Sequence, residues 1–197
     1  MSKPVSLQHG RYYHIYNRGN NRENLFLEER NYHHFLKLYT RYVAPVADTY
    51  AYCLLKNHFH LLVRTKVVAE QDQARTTLKP SQQFSHLFNA YAKAINKAYG
   101  RTGSLFEHPF ERREVTTEQY LRRLITYIHH NPQKHGLIAD FRDWPYSSYR
   151  ALCASLPTRL CRDEVLAWFG GPVQLAVAHQ SINIDTSLPQ LVLEDLE

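Results

Sequence analysis

Residues 47–65 read ADTYAYCLLKNHFHLLVRT. Two runs rich in Tyr, Leu, Phe and Val, at 47–55 and 58–65, flank Lys56 and Asn57. A two-residue gap between such runs predicts a β-hairpin. Side chains alternate along a strand, so His58 and His60 project from one face of the second run. Phe59, Leu61 and Val63 line the other. The hairpin therefore has one face made for a core and one face carrying two imidazoles.

Upstream, RYYHIYNR (11–18) alternates as a strand, and GNNREN follows as a turn because Gly and Asn tolerate positive φ. Phe35, Leu36, Leu38, Tyr39, Tyr42 and Val43 predict a helix over 28–43. Downstream, 66–80 is a polar loop ending at Pro80. Phe84, Leu87, Phe88, Tyr91, Ala92 and Ile95 predict a second helix over 81–99, which GRTGS (100–104) breaks. A strand is expected within 105–115, weakened by Pro109. Thr116 with Gln119 resembles a capping box opening a third helix over 117–130. Pro132 is expected to end it, because the residue before a proline avoids the α region. Strand, helix, strand, strand, helix, strand, helix is the split βαβ order of a ferredoxin-like α+β domain with a central antiparallel sheet. That domain is expected to span 1–150. Residues 151–197 are expected to form a C-terminal extension, with a short helix near 162–169 and an acidic tail.

The chain has 197 residues, enough for one domain with a real core. At 44% hydrophobic and 21% charged, it is not disordered throughout. No apolar run approaches the ~18 residues that span a bilayer, and the first residues lack the apolar stretch of a signal peptide. Three cysteines with no CxxC argue against a disulfide framework or a Cys-rich zinc site, so the expected compartment is the reducing cytoplasm. Lys and Arg number 24 against 18 Asp and Glu, a net +6, and there are 14 Tyr. Basic charge with aromatic rings suits nucleic acid, because cations neutralise phosphates and rings stack on bases. The charge is uneven. From Pro172 onward there is no Lys or Arg but four acids, Asp185, Glu194, Asp195 and Glu197. The preceding 171 residues hold 24 basic and 14 acidic side chains, a +10 body beside a −4 tail.

His58 and His60 on one strand face can bind one divalent metal, although a pair of half-buried histidines is the plainer account of the motif alone. The second constellation is Tyr127-Ile128-His129-His130-Asn131-Pro132. Tyr127 and Asn131 are one helical turn apart and share a face, which Tyr120 and Leu124 extend. Taken alone, they would read as a packing Tyr and a C-capping Asn. The Asn131 amide oxygen could complete a shell of two imidazoles and one oxygen. Such a set with open positions suits Mg²⁺ or Mn²⁺, although imidazole also suits Zn²⁺. A metal beside a tyrosine is what phosphodiester cleavage by a phenol needs. The phenol is a weak nucleophile at neutral pH, and a Lewis acid stabilises the charge that develops on phosphate. His130 is the one candidate general base.

Several blocks in order resemble the REP-associated tyrosine transposases, a branch of the single-tyrosine HUH transposases. They are YHIYNRGNNRENLF (13–26), YAYCLLKNHFHLLV (50–63), the segment from Tyr91 to YGRTGSLF at 99–106, YIHHNPQKHGL (127–137) and WPYSSY (144–149). The resemblance implies an HUH endonuclease fold that cleaves single-stranded DNA beside a palindromic hairpin through a covalent 5′-phosphotyrosine. By position, His58, His60 and Asn131 resemble the metal ligands and Tyr127 the nucleophile. After Leu105-Phe106 the family commonly reads Gln, any residue, Arg, Phe and a basic residue. Here Glu107, His108, Pro109, Phe110, Glu111 and Arg112 stand instead. Arg18, Arg22, Arg101, Arg112, Arg113 and Lys134 are the candidate phosphate or base contacts. The implied partner is single-stranded DNA with a hairpin, with no membrane. Monomer and homodimer stay open. The alternatives are a non-cleaving hairpin-binding regulator derived from a transposase, and an unrelated metal hydrolase using the HxH pair. The acidic tail adds the expectation that it competes with DNA for the basic body.

Overall fold

The computed structural model describes residues 6–67, 78–107 and 109–180. The acids of the tail, most of the 66–80 loop and His108 lie outside the described residues. The hairpin forms as read: β2 (Ala47–Leu54) and β3 (His58–Thr65) pair antiparallel. Leu55 donates its amide to the His58 carbonyl across the turn, at 2.9 Å. β1 (Tyr12–Arg18) pairs antiparallel with β3 on one side and with β4 (Glu111–Val115) on the other. The resulting four-stranded order β2-β3-β1-β4 is that of the ferredoxin-like split βαβ.

The Phe59 face is covered by α1 (Glu29–Tyr42) and α2 (Pro80–Tyr99). Phe35 and Phe88 lie 5.4 and 5.3 Å from the Phe59 ring, and Tyr91 meets Phe35 edge-on at 5.1 Å. The opposite face receives α3 (Glu118–Lys134), whose Thr117 hydroxyl caps the Tyr120 amide. Helices on both faces explain why β3 is buried along most of its length despite its two histidines.

Three differences from the sequence reading have physical causes. Pairing opposite Arg18 to Asn20 is confined to 105–107, and β4 begins only at Glu111. Pro109, which has no N–H to give a ladder, stands in the gap. α3 continues through Pro132 to Lys134. The bias before a proline is weak, and here every residue from Leu124 to Pro132 is buried and holds the helix. The C-terminal segment is also more than a short helix and a tail. It forms α4 (Tyr149–Cys153), α5 (Arg162–Phe169) and α6 (Pro172–Gln180). Their Leu152, Val165 and Leu175 join the same hydrophobic core as the sheet. Together with residues 146–148 just before it, the segment covers the outer edge of β2, which would otherwise be a bare row of donors and acceptors. Tyr146 accepts from Leu54, Ser148 donates to Tyr52 and Cys161 donates to Thr49, each at 2.9 Å.

The turn after β1 needs a glycine. A Cβ on Gly19 would lie 1.9 Å from the Glu23 carbonyl oxygen. Asn21 and Arg22 then take left-handed φ of 54° and 60°.

Candidate functional site

The register brings the imidazole face together. Arg18 pairs with His58, Tyr16 with His60, and His14 sits opposite Leu62. Alternation puts all of these except Leu62 among the polar side chains facing α3. His58 and His60 are buried, with ring centroids 5.3 Å apart. Tyr127, on α3, meets the His60 ring edge-on at 5.5 Å, and its own ring lies 5.8 Å from the Lys134 ammonium. Because α3 stays helical through Asn131, the Asn131 side chain remains one turn from Tyr127 and donates its amide to the Tyr127 carbonyl at 2.8 Å.

The hydrogen bonds around these residues fix which atoms remain available. His58 Nδ1 is 2.8 Å from Asn57 Oδ1, an acceptor, so His58 donates from Nδ1 and its Nε2 keeps a lone pair. His60 Nδ1 is 3.0 Å from His14 Nε2. His58 Nε2, His60 Nε2 and Asn131 Oδ1 are all buried, and no hydrogen bond of good geometry satisfies any of them among the described residues, although the Asn131 amide lies close enough to His58 to act on it as a hydrogen-bond partner. Buried polar atoms are rarely left so, and three together at one place call for an occupant. Two imidazole nitrogens and one amide oxygen fit a divalent cation that accepts mixed N and O ligands. No cluster of three His, Cys, Asp or Glu among the described residues offers an alternative site.

The electrostatics favour neutral rings. Burial pushes His58 down to about 3, helped by His135 and Arg18, while the Asn131 amide pulls the other way. Burial, then His14 and His58, hold His60 well below its ordinary value. Both rings therefore present lone pairs at neutral pH, as metal ligation requires.

The other candidate residues are spread more widely. Arg18 stands beside His58, but Glu107 grips it with both carboxylate oxygens. Arg113 is on the imidazole face and donates to the Tyr16 hydroxyl at 3.2 Å. Arg112 pairs with Ile15 and so points to the opposite face. There its guanidinium lies 4.1 Å over Phe110 and lines a cavity of about 500 Å³ with Asn17, Ser85 and Asn89. Arg101 is held by Glu23 and by Asn96 at the end of α2. Arg22 is exposed in the left-handed turn. Tyr13 and Tyr16 are buried, and Tyr12 packs between Tyr50 and Trp168. His130 is not brought to the site. Its ring donates to the His179 carbonyl at 2.8 Å and lies 3.9 Å from Phe141, on the side of α3 that meets α6.

Sequence reasoning missed His14, Glu107 and His135. His14 alternates with Tyr16 and Arg18, so the β1–β3 register was the signal that could have found it. His135 caps α3 and meets the His58 ring edge-on at 4.8 Å. It lies two turns beyond Tyr127, a spacing that needs the helix to pass Pro132.

No family model matches the chain. A protein of Haemophilus influenzae (strain Rd) named as a REP-associated tyrosine transposase is 29% identical over 105 residues, 52% of this chain and 58% of that protein. The chain thus spans somewhat over half the length of that relative. Among solved structures, a REP-associated tyrosine transposase bound to a REP hairpin superposes with a TM-score of 0.58 at 18% identity. The match covers 81% of this chain and 88% of the other, and it concerns the fold.

Proposed function

We propose that this chain, similar in sequence to one REP-associated tyrosine transposase and in fold to another, acts as a member of that family: it binds hairpin DNA and cleaves and rejoins single strands beside it. Tyr127 is the nucleophile. His58, His60 and Asn131 hold Mg²⁺ or Mn²⁺. The observation that carries the reading is the meeting, beside a tyrosine, of three buried lone-pair atoms that no hydrogen bond of good geometry satisfies among the described residues.

The bound cation supplies Lewis-acid stabilisation of charge on the phosphate. The protein supplies the rest. Tyr127 attacks phosphorus through its phenolic oxygen, the bond from phosphorus to the 3′ oxygen breaks, and the 5′ phosphate is left on the tyrosine. The phenol gives up its proton and the departing 3′ oxygen gains one. Rejoining reverses the same exchange, and the ester retained on Tyr127 removes any need for ATP. Lys134, over the tyrosine ring, adds positive charge where the phosphate must arrive. Arg113 and Arg22 extend that charge, whereas Arg18 and Arg101 reach the phosphates only by leaving Glu107 and Glu23, which hold them. Arg112 contacts DNA only by way of the opposite face.

The test is a covalent-adduct gel with labelled hairpin DNA and Mg²⁺ or Mn²⁺. Wild type forms the adduct, and Tyr127→Phe and His58→Ala do not. Adduct persisting in Tyr127→Phe refutes the nucleophile. Hairpin binding by wild type with no cleavage in either metal favours the non-cleaving regulator. Cleavage insensitive to Tyr127→Phe but lost in His58→Ala favours a metal hydrolase.

A further inference from the structure

We propose that His14 is a positioning residue of this site, fixing the tautomer and the aim of His60. The proposal rests on the reading of His58, His60 and Asn131 as a metal-holding set. His14 is fully buried on β1, with its ring stacked on that of His60 at 5.1 Å and its Nε2 3.0 Å from His60 Nδ1. One hydrogen must lie between those nitrogens, which leaves two neutral arrangements. In the first, His60 donates from Nδ1, its Nε2 keeps a lone pair, and His14 carries its remaining hydrogen on Nδ1. In the second, His14 donates from Nε2 and His60 carries a hydrogen on its own Nε2. Only the first can ligate a cation. Both hold two hydrogens, so passing between them neither takes up nor releases a proton.

Ligation requires an accepting His14: a His60 that offers Nε2 to a cation must hold its hydrogen on Nδ1, and His14 Nε2 is the atom placed to receive it. The His14 ring lies 4.7 Å from Tyr16 on β1, and Tyr16 accepts from Arg113, which is the β4 residue paired with His14. The arrangement leaves His14 Nδ1 buried and without a partner among the described residues. An apolar residue would fill the same space without that cost. A core position that spends a histidine and leaves one nitrogen unsatisfied is spending it on the nitrogen that is used, the one facing His60. Metal-bound histidines depend on such outer partners to hold their orientation and tautomer.

Two variants and two measurements test this with the full chain. His14→Phe keeps a ring but offers no acceptor, and His14→Gln offers a carbonyl oxygen. Two-bond ¹H–¹⁵N correlation spectra of the metal-free wild type should put the His60 hydrogen on Nδ1. A hydrogen on His60 Nε2 overturns the proposal. Calorimetric titration with Mn²⁺ alone should find His14→Phe weaker by about 10- to 100-fold, with His14→Gln recovering most of the loss. Unchanged Mn²⁺ affinity in folded His14→Phe, or His14→Gln as weak as His14→Phe, also overturns it. If wild type takes up no Mn²⁺, the metal reading itself fails, and the tautomer spectrum alone decides the role of His14. If His14→Phe does not fold, His14→Gln and the spectrum decide it.

Discussion

Acid should unfold this protein well above the range where carboxylates titrate. His14, His58, His60, His129 and His179 are all buried. Burial pushes His14 and His58 down to about 3 and His179 to about 4, and holds His60 and His129 well below their ordinary value. In the unfolded chain each titrates near 6.5. Between those values the unfolded state binds protons that the folded state refuses, so stability is complete above about pH 6.5 and falls as pH falls. At pH 5 each such histidine costs about 2 kcal/mol, from about 1.4 kcal/mol per pH unit below 6.5. The three with assigned values sum to about 6 kcal/mol, and His60 and His129 add to that. Folding free energies of such chains are about 5–15 kcal/mol. Asp140, held to about 2 by Arg142, is ionised in both states at pH 5 and loses its contribution only at lower pH, so it does not offset the loss. Urea unfolding of the metal-free chain at pH 7.5, 6 and 5 should show the midpoint collapsing across this window. The slope at pH 5 should be at least about 4 kcal/mol per pH unit, the value for three protons. A stability that changes by less than about 1 kcal/mol between pH 7.5 and 5 would refute the account of buried neutral histidines.

Three further outcomes follow from single contacts. Gly19→Ala drives a Cβ into the Glu23 carbonyl and should cost about 1–3 kcal/mol by thermal melt; a neutral result would mean that the turn is wrongly placed. Glu107→Gln releases Arg18 from its ion pair, so single-strand affinity at low salt should rise. The log–log salt slope should also steepen by about 0.7, the value of one phosphate contact; an unchanged slope removes Arg18 from the DNA surface. A chain ending at Gly171 loses Leu175 and His179, both buried, and should melt well below wild type, by about 2–5 kcal/mol for the leucine alone. Competition between the acidic tail and DNA is therefore tested by a cut after Gln180, with a rise in single-strand affinity as the expected result and no change as the refutation.

The fold was legible where two periodicities were unmixed. The HFH alternation and the Phe84 to Ile95 spacing each admit one reading, and the order of elements then fixes the sheet. The Tyr127 and Asn131 pair was legible for the same reason, since four residues along a helix share a face. What stayed hidden depended on contacts distant in sequence. Nothing within 105–115 says that Glu107 will take Arg18, because that pairing follows from the bridge beside Gly19. Nothing local to Pro132 says that the helix will pass it, because the burial that sustains it comes from β2, α6 and the Phe141 turn. α6 was hidden because Val173, Leu175, Ala176, Val177 and Ala178 have no polar face to give a helical period.

That hidden segment bears on the chemistry. α3 carries both the proposed nucleophile and the proposed third ligand, whereas the two imidazoles belong to β3. The distance between reacting groups is therefore set by how one helix is docked over one sheet. The apolar side of α3 packs on the sheet, chiefly over β2. Rotation is opposed by a polar chain. His179 donates from Nδ1 to the Leu175 carbonyl, so its Nε2 accepts from His129 Nδ1 at 2.8 Å. His129 Nε2 then accepts from the Ser148 hydroxyl at 2.8 Å, and Ser148 Oγ accepts from the Tyr52 amide at 2.9 Å. Tyr52 precedes Cys53, the residue that pairs with His60. The chain thus runs from α6 through α3 to the strand beside the imidazoles, where the Ser148 hydroxyl also lies 3.2 Å from the Tyr52 carbonyl. A misplacement of about 1 Å costs a reaction of this kind about 100-fold. On the proposed reading, α6 therefore belongs to the site's geometry.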